Sequence, residues 1–276
     1  MGRSKQKRRG GKTKAAKADK YVLYQESVQD PEGDVTRLRQ MYRTRVGRPP
    51  RLLREDFCGT AALACAWVAA HREHRAIGVD LDPEPLAWGR RHNASKLDAA
   101  QRERLELIKG NVLSAHTRRV DVLAAFNFSY FGFQTRELLR DYFERVRRAL
   151  TPGGLFVLDA YGGPEAQERR EERRDCDGFT YVWDQDRFDP ITHTTRCYIH
   201  FEFSDRSALR RAFRYDWRLW TLPELRDLLL ETGFVNPQVY WEGNEKGTDE
   251  GNGIFRPRAH AEDDPAWVAY LVASRG

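Results

Sequence analysis

The feature that most constrains this chain is an alternation of strand-like and helix-like runs between Arg51 and Tyr161. "RLLREDF" (51–57) reads as a strand, the Ala-rich Thr60–His71 as a buried helix, and "RAIGVD" (75–80) as a second strand. "LDPEPLAWGRRHN" then opens a helix, with Asp82 as N-cap and Pro83 at the first helical position. "LELIKGNV", "VDVLAAFNF" and "GLFVLDAY" supply three further strands, with a helix over Arg136–Leu150 that stops at "TPGG". Strand and helix alternating in this way predict a parallel sheet covered on both faces, joined by right-handed crossovers.

Beyond Tyr161 the rhythm changes. "EAQERREERRDCDG" reads as a charge-dense helical or mobile segment, followed by three alternating runs, "FTYVWD", "TTRCYIHFEF" and "ALRRAFRYDWRLW". These need no helix between them and suggest an antiparallel insertion over 161–220. "TLPELRDLLLETGF" restores a helix capped by Thr221 and stopped at Gly233, and "VNPQVYWEG" and "AWVAYLVAS" are strands flanking a Gly-rich charged loop. With 276 residues and 40% apolar content, one large α/β domain over 21–276 is the economical reading.

Charge is unevenly placed. Residues 1–20 hold nine Lys/Arg against Asp19, so this segment carries +8 of a net +6 and the rest carries −2. It is expected to be a disordered basic tail, acting either as an electrostatic handle for nucleic acid or as a solvated aid to solubility. The longest apolar stretch, Ala61–Ala70, is ten residues, against roughly 20 for a membrane helix. No secretory signal is evident, and Cys58, Cys65, Cys176 and Cys197 show neither C-x-x-C nor zinc spacing. A cytoplasmic protein without a metal or a membrane partner is the expectation.

The chemistry concentrates at the end of the first strand, "EDFCGTA" (55–61), which feeds straight into a helix. A glycine there lets backbone amides approach a ligand at a helix N-terminus. Asp80 lies 21 residues beyond Gly59, at the end of strand two, where a carboxylate can hold both hydroxyls of a ribose. The pair implies a nucleoside lying across the carboxyl edge of the sheet. A dinucleotide fold wants three glycines at G-x-G-x-x-G, and those offsets hold Phe57, Gly59 and Leu63. Two bulky side chains where a pyrophosphate should nestle argue against NAD or FAD.

"LLREDFCGTA" followed by "GVDLDPEPLAWGRRHN" resembles the class I S-adenosylmethionine-dependent methyltransferases. "LELIKGNVLS" is similar to that family's third-strand segment, with Asn111 where Asp is commoner, and Val120–Tyr161 looks like its fourth strand, helix and fifth strand. The resemblance covers Leu52–Asp159 well and Thr221–Ser274 loosely, leaving the insertion unassigned. It implies a Rossmann-like, doubly wound, seven-stranded, mostly parallel sheet with a reversed last strand, plus the antiparallel β insertion. It also implies S-adenosyl-L-methionine as cofactor. Glu55, Phe57 and the Cys58–Gly59–Thr60 backbone would line the methionine moiety and Asp80 the ribose. Leu81 and Asp82 would flank sugar and base, Asn111 and Val112 would meet the adenine, and Asn127 would border the cofactor. Tyr24 is placed to close over it. Phe57 and Ala61 stand where the family has glycine, which implies a tighter loop.

Methyl transfer is an in-line displacement needing orientation more than covalent help, and the sequence holds no catalytic triad. Where a base is required, candidates are Asn127 and Tyr130 after strand four, Asp159 and Tyr161 at strand five, and His193, His200 and Glu202 in the insertion; Asn127, Tyr130 and His200 lead. "NFSY" (127–130) keeps only the outer residues of the Asn-Pro-Pro-Tyr motif of nucleobase amino-methyltransferases. Aromatic residues of the insertion, Tyr181 and Tyr198 among them, either roof the acceptor pocket or form the insertion's own core. The acceptor is expected to be a small molecule; the alternatives are RNA or another macromolecule guided by the basic tail, or a relative that binds cofactor without transfer.

Overall fold

The computed structural model describes residues 12–245 and 251–276. Three N-terminal helices, α1 (Lys14–Lys17), α2 (Lys20–Val28) and α3 (Pro31–Val46), lead into β1 (Leu52–Asp56) and α4 (Ala62–Ala70). Then come β2 (Arg75–Asp80), α5 (Pro83–His92), α6 (Ala99–Arg102), β3 (Leu105–Lys109), β4 (Val120–Ala125), α7 (Arg136–Ala149) and β5 (Leu150–Gly162). The insertion comprises β6 (Arg170–Cys176), β7 (Phe179–Asp189), β8 (Thr194–Glu202) and β9 (Ala208–Arg218). α8 (Leu222–Glu231), β10 (Phe234–Asn244), β11 (Gly251–Arg258) and β12 (Trp267–Arg275) complete the chain.

The main sheet runs β11-β10-β12-β5-β4-β1-β2-β3, parallel from β5 through β3, with β12 reversed against β5. Its central strands β1, β2, β4 and β5 are largely buried on both faces, with side chains alternating between two layers. In β4, Leu123 and Ala125 pack toward α7 and α8, while Val122 and Ala124 pack toward α3 and α4. α7 presents Leu139, Tyr142, Phe143 and Val146 at helical spacing to the first layer. α4 is apolar on every side because α3 covers it from without. No helix among the described residues is long and apolar enough to cross a membrane.

Three expectations change. The sheet has eight strands, because the charged loop before the last strand contains β11, an antiparallel edge partner of β10. "EAQERREERRDCDG" contains β6, the exposed edge of a four-stranded antiparallel sheet β6-β7-β8-β9; its dense mixture of Arg and acidic residues suits a solvated edge strand, where charge discourages further pairing. Residues 12–20 are ordered, unlike the disordered tail expected there, and residues 1–11 lie outside the described residues. The ordering has local causes: Lys14 N–H donates to Asp205 (2.8 Å), Ala15 N–H to Ser207 Oγ (3.0 Å), and Trp88 Nε1 to Asp19 (2.6 Å).

Asp82 caps α5 with Pro83 in its first turn, and Thr221 caps α8 in a reciprocal box with Glu224, as their sequences predict.

Candidate active site

Loop 57–61 leaves β1 through three left-handed residues, Phe57 (φ 57°), Gly59 (φ 53°) and Ala61 (φ 55°). Only glycine adopts this region without strain, so Phe57 and Ala61 hold the conformation of the glycines they replace by packing. The Phe57 ring lies against Phe133 and Tyr142, with centroids 5.8 and 5.6 Å away, and Ala61 is fully buried. Cys58 N–H donates to the Val79 carbonyl (3.0 Å), which fixes the loop against β2. α5 comes so close at Gly89 that a Cβ there would sit 2.2 Å from the Thr60 carbonyl oxygen.

Ala61 gives α4 no side-chain cap; the buried Glu55 of β1 supplies one instead, accepting Ala64 N–H at 2.9 Å. Burial pushes the Glu55 carboxyl up to about 8 against the lowering effect of that bond, and Asp34, Asp80 and Asp56 push the same way. Asp80 Oδ2 accepts Gly59 N–H (2.6 Å) and its Oδ1 accepts Asp82 N–H (2.8 Å). Burial raises this carboxyl, and the N–H groups of Asp82, Gly59 and Leu81 oppose that rise. Each oxygen keeps a further lone-pair site, and a Cβ at Gly59 would meet nothing within 4 Å. A carboxylate beside open space and unhindered backbone is what a ribose with its neighbouring chain requires. Leu81 is 65% exposed next to it, an apolar surface suited to a base or sugar face. Asp82 is committed to capping Glu84 N–H (2.9 Å).

Asn111 is exposed, with its Oδ1 closing its own turn onto Leu113 N–H (2.9 Å). The Val112 side chain is buried in the core and is not open to a ligand. Over the loop runs α2, where Gln25 Nε2 donates to Thr60 Oγ1 (2.7 Å), and Tyr24 rests on Phe213 at 4.8 Å. Burial lifts the Tyr24 phenol to about 12.

A second left-handed pair follows β4. Asn127 and Phe128 (both φ 56°) point their N–H groups at Asp159, at 2.7 and 2.9 Å. Burial raises the Asp159 carboxyl to about 7, less than it would without those two donors. Here a cavity of about 1050 Å³ begins, lined at its inner end by Tyr24, Ser27, Asn127, Phe128 and Tyr161. Gly59 and Asp80 are not among its lining residues. Gly59 and Asp80 therefore lie outside this cavity, which is lined by Asn127 and by Tyr24, the neighbour of the Gln25 that bonds Thr60.

Tyr181, Trp183, Tyr215 and Trp217 roof this cavity, while Phe179 and Phe201 form the insertion's own core against Leu23 of α2. The insertion's aromatics thus divide between roof and core, and Tyr198 belongs to neither set: it packs on the opposite face beneath Arg211. Two of the leading candidates for proton transfer are misplaced for it. Tyr130 is fully buried and its hydroxyl donates to the Asp159 carbonyl (2.7 Å), so it braces β5. His200 is buried within the insertion sheet: its Nδ1 accepts Arg211 N–H (2.7 Å), which leaves Nε2–H to donate to Asp184 (3.1 Å). It repairs the ladder at a bulge between Ile199 and Phe201 and does not line the cavity. His193 and Glu202 also lie off the cavity, the first bonded to the Leu219 carbonyl and the second paired with Arg173 and Arg210.

The sequence reading missed the outer wall, Trp241, Glu242, Trp267 and the acidic run Glu262–Asp264. The available signal was "AEDDPAW", three acids and a proline set before a tryptophan.

Residues 57–154 match the family model described as a methyltransferase domain. No curated protein matches the sequence. Among solved structures, the chain is similar to an S-adenosylmethionine-dependent methyltransferase from Clostridium acetobutylicum, with TM-score 0.64 and 15% identity over 93% of this chain and 97% of that one. It is likewise similar to an amino pentose methyltransferase from Micromonospora echinaspora, solved with S-adenosylmethionine bound (TM-score 0.66, 15% identity, 93% and 96% covered). A sugar N-methyltransferase from a Streptoalloteichus species gives TM-score 0.63 and 19% identity over 100% and 98% of the two chains. The matched segment begins at the Phe57 loop and contains Asp80, Asn111 and Asn127; the chain contains a methyltransferase domain and shares the fold of S-adenosylmethionine-dependent methyltransferases.

Proposed function

We propose that this chain transfers a methyl group from S-adenosylmethionine to the amino nitrogen of a small cationic acceptor. The observation that supports the reading is the aromatic, acid-bearing cavity lined at one end by Asn127 and Tyr24. An ammonium compound is attracted by aromatic faces and by carboxylates. Two of the similar structures are described as an amino pentose methyltransferase and a sugar N-methyltransferase, which supports nitrogen on a sugar-sized molecule.

The cofactor supplies the methyl already activated on a sulfonium. The chain's share is placement: Asp80 would hold the ribose hydroxyls, and Gly59 would let the cofactor chain approach bare backbone. Leu81 and Asn111 border sugar and base, and the Glu55-capped loop sets the depth of the methionine end. α2 closes the groove through Gln25 and Tyr24. The roof of Trp183, Tyr215 and Trp217 orients the acceptor amine and excludes water. The amine must be neutral when its lone pair attacks. The proton it sheds, and the one left after the N–C bond forms, pass to water at the open cavity mouth.

RNA guided by the basic residues 1–20 is disfavoured by the acidic cavity wall, which repels phosphate. Calorimetry with S-adenosylmethionine and its demethylated product, followed by transfer of labelled methyl to amino sugars, tests the proposal. Failure to bind either cofactor form, or transfer to hydroxyl acceptors alone, overturns it.

A further inference from the structure

We propose that the cavity takes an acceptor with two cationic centres: the amine to be methylated sits in the inner aromatic chamber, and a second ammonium sits at the mouth. The inference rests on the amine reading above and names the acceptor class. Its first support is size. At about 1050 Å³ the cavity is at the top of the roughly 300–1,000 Å³ range of small-ligand sites. One aminated ring in the inner chamber leaves the outer end unfilled.

The second support is that the outer end is built. Trp241 of β10 and Trp267 of β12 stand with centroids 5.3 Å apart at 44°, half-buried on the cavity wall. The Trp267 ring lies flat over β5 only because Gly162 has no side chain; a Cβ there would sit 2.3 Å from the ring. Gly163 (φ 98°) lets the acidic segment close down in the same way, since a Cβ there would be 2.3 Å from the Pro265 carbonyl oxygen. That carbonyl accepts Glu165 N–H at 3.0 Å. Two adjacent glycines thus seat a tryptophan and its acidic loop against the end of β5.

The third support is where charge is left uncompensated. Inside, Glu165 and Glu172 both pair with Arg170, and the further positive charge of Arg174, which lies over Tyr181 while donating to the Ser27 carbonyl, balances the second acid. At the mouth, Glu262, Asp263 and Asp264 form no ion pair among the described residues, and Glu242 accepts Gly253 N–H (2.7 Å). The negative field therefore sits beside the Trp241–Trp267 pair, away from the reacting end. Aromatic faces together with unpaired carboxylates select a cation, and the same field repels an acceptor that carries a phosphate.

The test uses the full chain and three probes that share a sugar amine: glucosamine, the two-ring polyamine neamine, and glucosamine 6-phosphate. Labelled methyl transfer gives kcat/KM, and calorimetry on the chain saturated with demethylated cofactor gives binding. Neamine is expected to be preferred, glucosamine next, and the phosphate last. The variant Glu262→Gln/Asp263→Asn/Asp264→Asn changes charge at surface positions with little effect on folding. It should lower kcat/KM and affinity for neamine about tenfold, as for a few partly screened charges. It should leave glucosamine within about twofold and bring glucosamine 6-phosphate level with it. Trp267→Ala, checked for folding by circular dichroism, should weaken neamine more than glucosamine. Equal effects on all three probes, or preference for the phosphate by the wild type, overturn the two-centre acceptor while leaving amine methylation standing. If no probe is methylated although the cofactor binds, both proposals fall.

Discussion

Asp80→Ala is the sharpest test of the cofactor site, because its size follows from the hydrogen bonds already in place. The carboxylate has about four acceptor sites, and two are filled by Gly59 N–H at 2.6 Å and Asp82 N–H at 2.8 Å. One site remains on each oxygen, enough for the two hydroxyls of a ribose. Hydrogen bonds to a charged group contribute about 1.5–3 kcal/mol each. Asp80 is only partly buried and water competes for it, so about 3 kcal/mol for the pair is reasonable. That corresponds to about a hundredfold rise in Kd for S-adenosylmethionine and for its demethylated product alike. The control is Asp82→Ala, which removes the cap on Glu84 N–H from the neighbouring residue. It should cost about 1 kcal/mol of stability and change cofactor affinity less than about fivefold. Titration calorimetry on both variants, with thermal melts to show that they fold, reads the comparison. An Asp80→Ala protein that is folded and binds within fivefold of wild type, or an Asp82→Ala protein equally impaired, refutes the assignment of the ribose to Asp80.

Three further outcomes are expected. Glu55 is raised to about 8 by burial, so its contribution to stability is complete below the ordinary carboxylate range and is lost as pH rises through about 8. The melting temperature of the cofactor-free protein should therefore fall over that span, and Glu55→Gln, which still accepts Ala64 N–H, should flatten the fall; an unchanged slope counts against this. Tyr130→Phe removes the bond to the Asp159 carbonyl and should cost about 1–2 kcal/mol of stability with kcat within threefold, whereas a hundredfold loss of kcat would restore Tyr130 to the chemistry. Ala61→Val puts a branched side chain at φ 55° in a fully buried turn and should cost more than about 2 kcal/mol in urea unfolding. Ala61→Gly should lie near zero, since relief of strain offsets loss of a buried methyl.

The alternation from Arg51 to Tyr161 was legible because a parallel sheet buries both faces, so its strands are written as nearly continuous apolar runs separated by helices. Val120–Ala125 and Leu155–Ala160 are both buried throughout. Caps were legible for the same local reason: Asp82 and Thr221 act on N–H groups two or three residues away. β6 and β11 were not. Each is an edge strand whose exposed face carries charge, and an exposed edge has no hydrophobic period to display. The order in residues 12–20 was hidden for another reason. Its bonds run to Asp205, Ser207 and Trp88, partners more than sixty residues away that no local window contains.

The same division separates the two halves of the site. The proposed cofactor half is made by consecutive residues, Glu55–Ala61 and Asp80–Asp82, whose backbone must take one shape, and such a stretch survives as a motif even with Phe57 and Ala61 in place of glycine. The acceptor half is assembled from β4, β5, the insertion, β10 and the segment before β12, and no two of these contribute a fixed spacing. Residue type misled there as well. A histidine and a tyrosine near the right strands suggest proton transfer, yet His200 has both nitrogens bound within the insertion sheet and Tyr130 spends its hydroxyl on a carbonyl. What decides their roles is the partner across the chain: Arg211 N–H in one case and Asp159 C=O in the other. The two glycines at 162 and 163 make the opposite point. In sequence they read as the end of a strand, and only the approach of Trp267 and Pro265 shows that the missing side chains make room for the cavity wall. A pocket for a variable acceptor is expected to be written this way, in distant contacts that can change one at a time while the cofactor loop stays fixed.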